Sequence, residues 1–354
     1  MGQQAYYAIS AKLRGMKRKL LQPDELETLM SLTSVMEMTA FLKQQSAYSR
    51  LLAGINEADT HRDELERIFL QSVFDDFTKL YRFANLEQRE FLNFYLIKYE
   101  IRLLKNYLRK ILDPDLQKIN VEPYADFFYR HSHLDLNSLE NVHSLDEFAI
   151  LLKDSMYFKP ISRLAKLAAP TLFDYEMALD SFYFDYIIKH RSRLRTAVER
   201  KGFHKSYGTS FDVLNLLYIY RSKVYYRVPA ANVYLMLIPA QYHLTKEELT
   251  AMVEAADEDA FWQIFRKTYY GKYLTNGKTS LNLEKLYGTL LSATISKLGH
   301  IHSFTTLGLH AYLYAKDTEM HTLTTILEGL RYHLDANEIR SLVSATNLPG
   351  GSKS

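Results

Sequence analysis

Apolar residues recur along this chain at intervals of three and four, the spacing that stacks side chains on one face of an α-helix. Between Asp63 and Tyr81 one stripe runs through Leu65, Ile68, Phe69, Val73, Phe77, Leu80 and Tyr81. Residues 88–111 carry a second, made of Phe91, Leu92, Tyr95, Leu96, Leu103, Tyr107 and Ile111. A third links Phe211, Leu214, Leu217, Tyr218, Val224 and Tyr225, and the spacing continues over 284–298 and 309–333. No stretch alternates apolar and polar residues long enough to make a half-buried strand. Helix stops are expected at Asp113-Pro114, Lys159-Pro160, Ala169-Pro170 and the glycine-rich tail, because proline removes a backbone donor and disfavours helix in the residue before it. The pattern predicts an all-α protein.

The order of these helices repeats. A short unit with a start signal, an acidic helix and an aromatic ending occurs as SVMEMTAFLKQQSAYSRLL, as SLDEFAILLKDSMYFKPIS and as DEDAFWQIFRKTYYGKYL. In each, Lys43, Lys153 or Arg266 stands shortly before Tyr48, Tyr157 or Tyr270. Two long helices follow every copy. In the second of these an aliphatic or Tyr-rich stretch meets charges at mid-helix, and laying the three over one another makes Ile101, Val224 and Met320 coincide. Lys98 and Glu100 then overlie Arg221 and Lys223, and Asp317 and Glu319. The repeat predicts three similar helical domains, residues 1–112, 113–228 and 229–346, around a common axis, with 347–354 as a flexible tail.

Composition agrees and narrows the chemistry. Thirteen glycines and eight prolines in 354 residues are few for a protein of strands and turns. Without cysteine there are no disulfides, thiolate chemistry or Cys-type zinc sites, and a reducing, cytoplasmic setting fits. The start, MGQQAYYAISAKLRG, lacks the basic-then-apolar order of a signal peptide. The longest apolar stretch, Val228 to Ala240, is interrupted by Pro229 and Pro239 and falls short of the about 20 residues a membrane span needs, so it reads as a buried helix segment. A net charge of +3 gives no strong pull toward nucleic acid or anionic lipid. The 27 tyrosines, beside one tryptophan, suit helix seams and protein interfaces, where a ring can be dry and its hydroxyl wet.

Catalytic and ligand motifs fail on spacing. Gly277-Lys278-Thr279 resembles the end of a phosphate loop, but Gly271 is one residue too distant and FWQIFRKTYY reads as helix where a strand is required. The pairs His131/His133 and His300/His302 have a spacing that points to different helix faces, and His310, His321 and His333 lack acidic residues at ligand spacing. Asp75-Asp76 and Glu247-Glu248 read as solvated faces. No catalytic set, metal site or cofactor is expected. Two basic clusters remain: Lys12, Arg14, Lys17, Arg18 and Lys19, and then Lys189, Arg191, Arg193, Arg195, Arg200, Lys201 and Lys205. Either could meet phosphates or anionic lipid head groups, or form a solvated or protein-contacting face, and Lys and Arg at a helix C-terminus also suit its dipole.

The opening segment, YYAISAKLRGMKRKLLQPDELETLMSLTSVMEMTAFLKQQSAYSRLL, resembles the N-terminus of the C subunit of bacterial and archaeal V/A-type ATPases. The eukaryotic counterpart is the d subunit of the vacuolar proton pump. RSKVYYRV with YLMLIPAQYHLTKEELTAMV is similar to that family's mid-chain, and HAYLYAKDTEMHTLTTILEGLRYHLDANEIRSLV to its close, over roughly 6–346. Thr322-Leu323-Thr324 stands where an Asn-Leu-Arg-like stretch is expected, and the tail LPGGSKS lies outside the resemblance.

The resemblance implies three pseudo-equivalent helical domains forming a funnel on the cytoplasmic face of the membrane proteolipid ring. The funnel receives the rotor shaft and passes torque without an active site. Partners would be the rotor-shaft subunits and the ring, no nucleic acid is expected, and the isolated chain would be a monomer. If the repeat-equivalent charges line the funnel, Lys98, Glu100, Arg102, Arg221, Lys223, Asp317 and Glu319 are the partner-binding candidates; otherwise they pair between neighbouring helices. The competing functions are a helical scaffold or nucleic-acid-associated adaptor using the 189–205 cluster, and an unrecognised helical enzyme.

Overall fold

A computed structural model describes residues 2–113, 122–164, 170–194, 196–273 and 280–345; the tail 347–354 and Gly277-Lys278-Thr279 lie outside these. The described residues form α-helices and short 3-10 turns, with no strand among them. In chain order the first helices are α1 (Gly2–Lys17), α2 (Pro23–Met30), α3 (Val35–Gln44) and α4 (Arg62–Phe83). Next come α5 (Leu86–Leu112), α6 (Glu122–His131), α7 (Leu136–Glu140), α8 (Leu145–Leu151), α9 (Phe158–Leu164) and α10 (Leu172–His190). The remainder are α11 (Ala197–Val224), α12 (Ala230–Met236), α13 (Lys246–Val253), α14 (Glu258–Lys267), α15 (Ser280–Ile301), α16 (Thr306–Arg331) and α17 (Ala336–Ala345). Two compact units result: Met1–Phe83 with Arg195–Ser354, and Ala84–Leu194.

Local chemistry sets the helix starts. Asn85 with Gln88, Thr171 with Asp174, Thr196 with Glu199 and Thr245 with Glu248 each form a reciprocal capping box, satisfying backbone donors that the first turn leaves open. The apolar stripes then decide which face turns inward. α4 buries Leu65, Ile68, Phe69, Val73, Phe77 and Leu80, and α5 buries Phe91, Leu92, Tyr95, Leu96, Leu103 and Tyr107. In the smaller unit α5 packs on α10, with Lys105 Nζ 2.6 Å from Asp180 and Arg109 2.6 Å from Glu176.

The larger unit is organised by α11 and α16. Residues 208–217 of α11 are buried without interruption, which a helix shows when neighbours cover every side. Its neighbours include α12, α13, α14, α15 and α16. α15 packs against α16 at Gly299, where a Cβ would run into that of Ala311; only glycine lets the two helices approach so closely there.

Two local expectations fail. Pro160 stops nothing: it sits in the first turn of α9, where its missing N–H would have had no helical partner. The apolar run 228–240 is not a buried helix either. Only Val233 and Ile238 are buried there, and Leu235 is 82% exposed, because α12 is two turns long and presents one residue inward.

Candidate functional site

The three short units found in the sequence fold as three copies of one device. Each begins with a side-chain cap: Ser34 accepts from Glu37 N–H, Ser144 from Glu147 N–H, and Asp257 from Ala260 N–H. The same two positions after each cap are apolar and buried: Met38 and Leu42, Phe148 and Leu152, Phe261 and Phe265. Each unit then ends on a buried tyrosine, Tyr48, Tyr157 or Tyr270, at most 2% exposed.

Every one of these tyrosines donates its hydroxyl proton to a buried carboxylate near the middle of a long helix. Tyr48 donates to Glu319 of α16 (2.7 Å), Tyr157 to Glu100 of α5, and Tyr270 to Asp212 of α11 (3.0 Å). The same carboxylate also holds the lead-in to the short helix that precedes each copy. Glu319 accepts from Leu21 N–H (2.7 Å), just before α2. Asp212 accepts from Leu244 N–H (3.1 Å), just before α13, and from the N–H groups of Tyr242 and His243 at 3.1 and 2.6 Å. Glu100 accepts from the Ser132 hydroxyl, which in turn accepts from Leu134 N–H just before α7 (3.0 Å). Leu21, Leu134 and Leu244 are all buried. One carboxylate thus clamps both ends of each two-helix unit.

The charge of each clamp is compensated differently. Lys316, 1% exposed, donates to Glu319 at 2.7 Å and to the Tyr48 hydroxyl at 3.2 Å. Asp212 relies on backbone donors instead. Burial pushes the carboxyl groups of Glu100 and Asp212 above their usual range, more than these hydrogen bonds pull them down. Burial beside the carboxylates raises the hydroxyls of Tyr48, Tyr157 and Tyr270, so they stay protonated donors.

The clamps also revise the register of the repeat. Val213, next to Asp212, corresponds to Ile101 and Met320, in place of Val224. The displacement is about eleven residues, close to three turns of α-helix, and keeps the apolar face in phase. The sequence overlay therefore loses little by slipping, and Asp212 goes unnoticed.

The order in which the copies are joined is cyclic. The first copy's tyrosine meets the third long helix, the second copy's the first, and the third copy's the second. Residues 9–342, which include all three clamps, match the family described as ATP synthase (C/AC39) subunit. The chain belongs to this family. A curated relative, the C subunit of the A-type ATP synthase of Methanococcoides burtonii, is 24% identical over 341 residues, which are 95% of this chain and 93% of the relative.

In this ATP synthase (C/AC39) subunit family member the seven mid-helix charges have separate fates. Glu100 and Glu319 are clamp carboxylates, and Asp317 is buried on the same helix as Glu319. Arg221 pairs with Glu284 of α15, and Lys223 donates to the Val253 carbonyl at the end of α13 (2.7 Å), where a cation suits the helix dipole. Lys98 is half-buried with its ammonium 5.8 Å from the Tyr95 ring centre, and Arg102 is exposed.

The basic clusters have mixed surroundings. Lys12 lies over Phe83 and Arg14 over Phe304, while burial lowers the Lys17 ammonium pKa. Arg18 and Lys19 are exposed. In the second cluster Lys189, Arg191 and Arg193 belong to the smaller unit and Arg200, Lys201 and Lys205 to the larger, while Arg195 is outside the described residues. His310 is buried and stacks on Tyr207, and His131 packs on Phe127. Among the described residues no group of His, Asp and Glu could hold a metal ion, and no helix is long and apolar enough to cross a membrane.

Proposed function

We propose that this protein is the non-catalytic central-stalk component that joins the rotor shaft of an A/V-type ATP synthase to the membrane proteolipid ring. The carrying observation is the family match over 9–342, spanning three copies of one carboxylate–tyrosine clamp. A coupling part must transmit torque without yielding. Buried, fully hydrogen-bonded polar groups give stiffness and a unique geometry that apolar packing alone leaves looser. The cyclic order of the clamps favours three pseudo-equivalent domains about a common axis, as in a funnel. Its place would be the cytoplasmic face of the membrane, and the isolated chain would be a monomer. Of the seven mid-helix charges, the exposed Arg102 is then the one offered to a partner, while Glu100, Glu319, Arg221 and Lys223 maintain the frame.

Size-exclusion chromatography with light scattering tests this reading, using the pure protein alone and mixed with the rotor-shaft subunits of its own organism. The expected result is a monomer that shifts into a stoichiometric complex. A monomer that ignores a folded shaft would overturn it.

A further inference from the structure

Beside α11 the segment before α13 and the turn after α14 meet, and together they gather rings and cations that none of the clamps requires. The His243 ring stacks on Tyr269, with centroids 3.7 Å apart and planes 18° from parallel. Lys272 places its ammonium 3.9 Å from the Tyr269 ring centre and 5.0 Å from that of Tyr273. The two tyrosine hydroxyls are 3.2 Å apart. On the α11 side, His204 meets the Tyr242 ring edge-on at 5.1 Å. That ring lies against the helix because residue 208 is glycine; a Cβ there would stand 2.6 Å from Tyr242 Cγ.

This surface is positive among the described residues. Lys205 and Lys272 are exposed, and neither has an ion-pair partner among the described residues. The carboxylate behind them, Asp212, is buried and already accepts from residues 242–244 and Tyr270. The field is felt locally. Burial first, then the charges of Lys272, Lys205 and His204, depress the His243 imidazole pKa against the pull of Asp212. Lys272 and Lys205 likewise help the Tyr269 hydrogen bond to lower the Tyr273 hydroxyl pKa.

We propose that this surface docks a carboxylate-rich segment of a partner protein, whose acidic side chains meet Lys205 and Lys272 across the Tyr269 and Tyr273 rings. Charge complementarity selects the occupant, and rings already fixed by their neighbours lose little entropy on binding. A lipid surface fits less well. Tyr269 and Tyr273 are only 38% and 41% exposed and lie against His243 and Lys272, so they do not protrude as an inserted residue must. A single-stranded nucleic acid needs open ring faces for its bases, and the Tyr269 ring is covered by His243 and Lys272. This docking role stands on the one surface alone and goes beyond the rotor-coupling reading.

The test uses the full chain and a fluorescein-labelled hexaglutamate peptide, followed by fluorescence anisotropy at low ionic strength. The double variant Lys205→Ala/Lys272→Ala should weaken binding by about tenfold or more, since both charges are lost. Arg18→Ala/Lys19→Ala removes equal charge in the same unit, just after α1, which packs on α4 and α16, and should leave binding within about twofold of wild type. Fluorescence of the single tryptophan, Trp262 on α14, checks that the nearby fold survives. Equal weakening by the two double variants would overturn the proposal. So would loss of binding to phosphatidylserine vesicles or oligo-dT, with hexaglutamate affinity unchanged, in Lys205→Ala/Lys272→Ala.

Discussion

Removing one clamp carboxylate, by Asp212→Ala, should loosen one two-helix unit by an amount that can be worked out bond by bond. Asp212 is completely buried and accepts four hydrogen bonds: from the backbone of Tyr242, His243 and Leu244 and from the hydroxyl of Tyr270. Tyr242 and His243 are half-buried, so water can replace the lost acceptor for them at small cost. Leu244 and Tyr270 are buried, and each donor left unsatisfied there costs about 1–3 kcal/mol. With a few tenths of a kcal/mol for each wetter donor, Asp212→Ala should destabilise the unit by about 4 kcal/mol. Asp212→Asn keeps the shape and one acceptor oxygen, and Tyr270→Phe keeps all three backbone bonds, so each should cost about 1–2 kcal/mol.

The assay is built into the chain. Trp262, the single tryptophan, is 1% exposed, donates to Glu258 at 3.1 Å and packs on Phe265 within the unit that Asp212 holds. Urea unfolding followed by its fluorescence therefore reads this unit directly. The two single changes share a hydrogen bond, so Asp212→Ala/Tyr270→Phe should cost less than the sum of its parts by about 1 kcal/mol. An Asp212→Ala protein within about 1 kcal/mol of wild type, or strict additivity, would refute the clamp as a cooperative node.

Two further outcomes test the packing and the electrostatics. Leu217, 2% exposed on α11, should not tolerate a charge: Leu217→Asp should cost about 3–5 kcal/mol through an unpaired buried carboxylate, and wild-type-like urea midpoints would show the seam to be elsewhere. Glu100 tests pH dependence. Its carboxyl is raised above the ordinary value of 4.5 chiefly by burial, so the folded state favours the proton. Its contribution to stability is full below that ordinary value and fades as pH rises through the raised one. Glu100→Gln, which cannot titrate, should trail wild type by more at about pH 5 than at about pH 7 in urea melts followed by circular dichroism. A deficit that shrinks on acidification contradicts that sign.

The helices themselves were legible because they follow from nearest neighbours. The stripe from Leu65 to Leu80, the caps at Ser34, Ser144 and Asp257, and the recurrence of Tyr48, Tyr157 and Tyr270 are all local patterns, and each is realised. Period and capping chemistry act within a few residues, so a single sequence suffices to see them. The partners of those tyrosines were not legible. Tyr48 and Glu319 are 271 positions apart, and nothing local to either marks the bond. The slip between Val213 and Val224 preserves the helical face, so hydrophobic phase cannot choose between Asp212 and Lys223. The aromatic and basic surface had a faint signal in TYYGKY and the preceding Tyr242-His243 pair. Only the approach of both segments to Lys205 on α11 makes them one surface, and Gly208 permits that approach by carrying no side chain. Periodicity determined what would be helix and which side would be buried; tertiary packing decided which charges the core would keep, because a buried carboxylate is stable only where donors from distant parts of the chain converge on it.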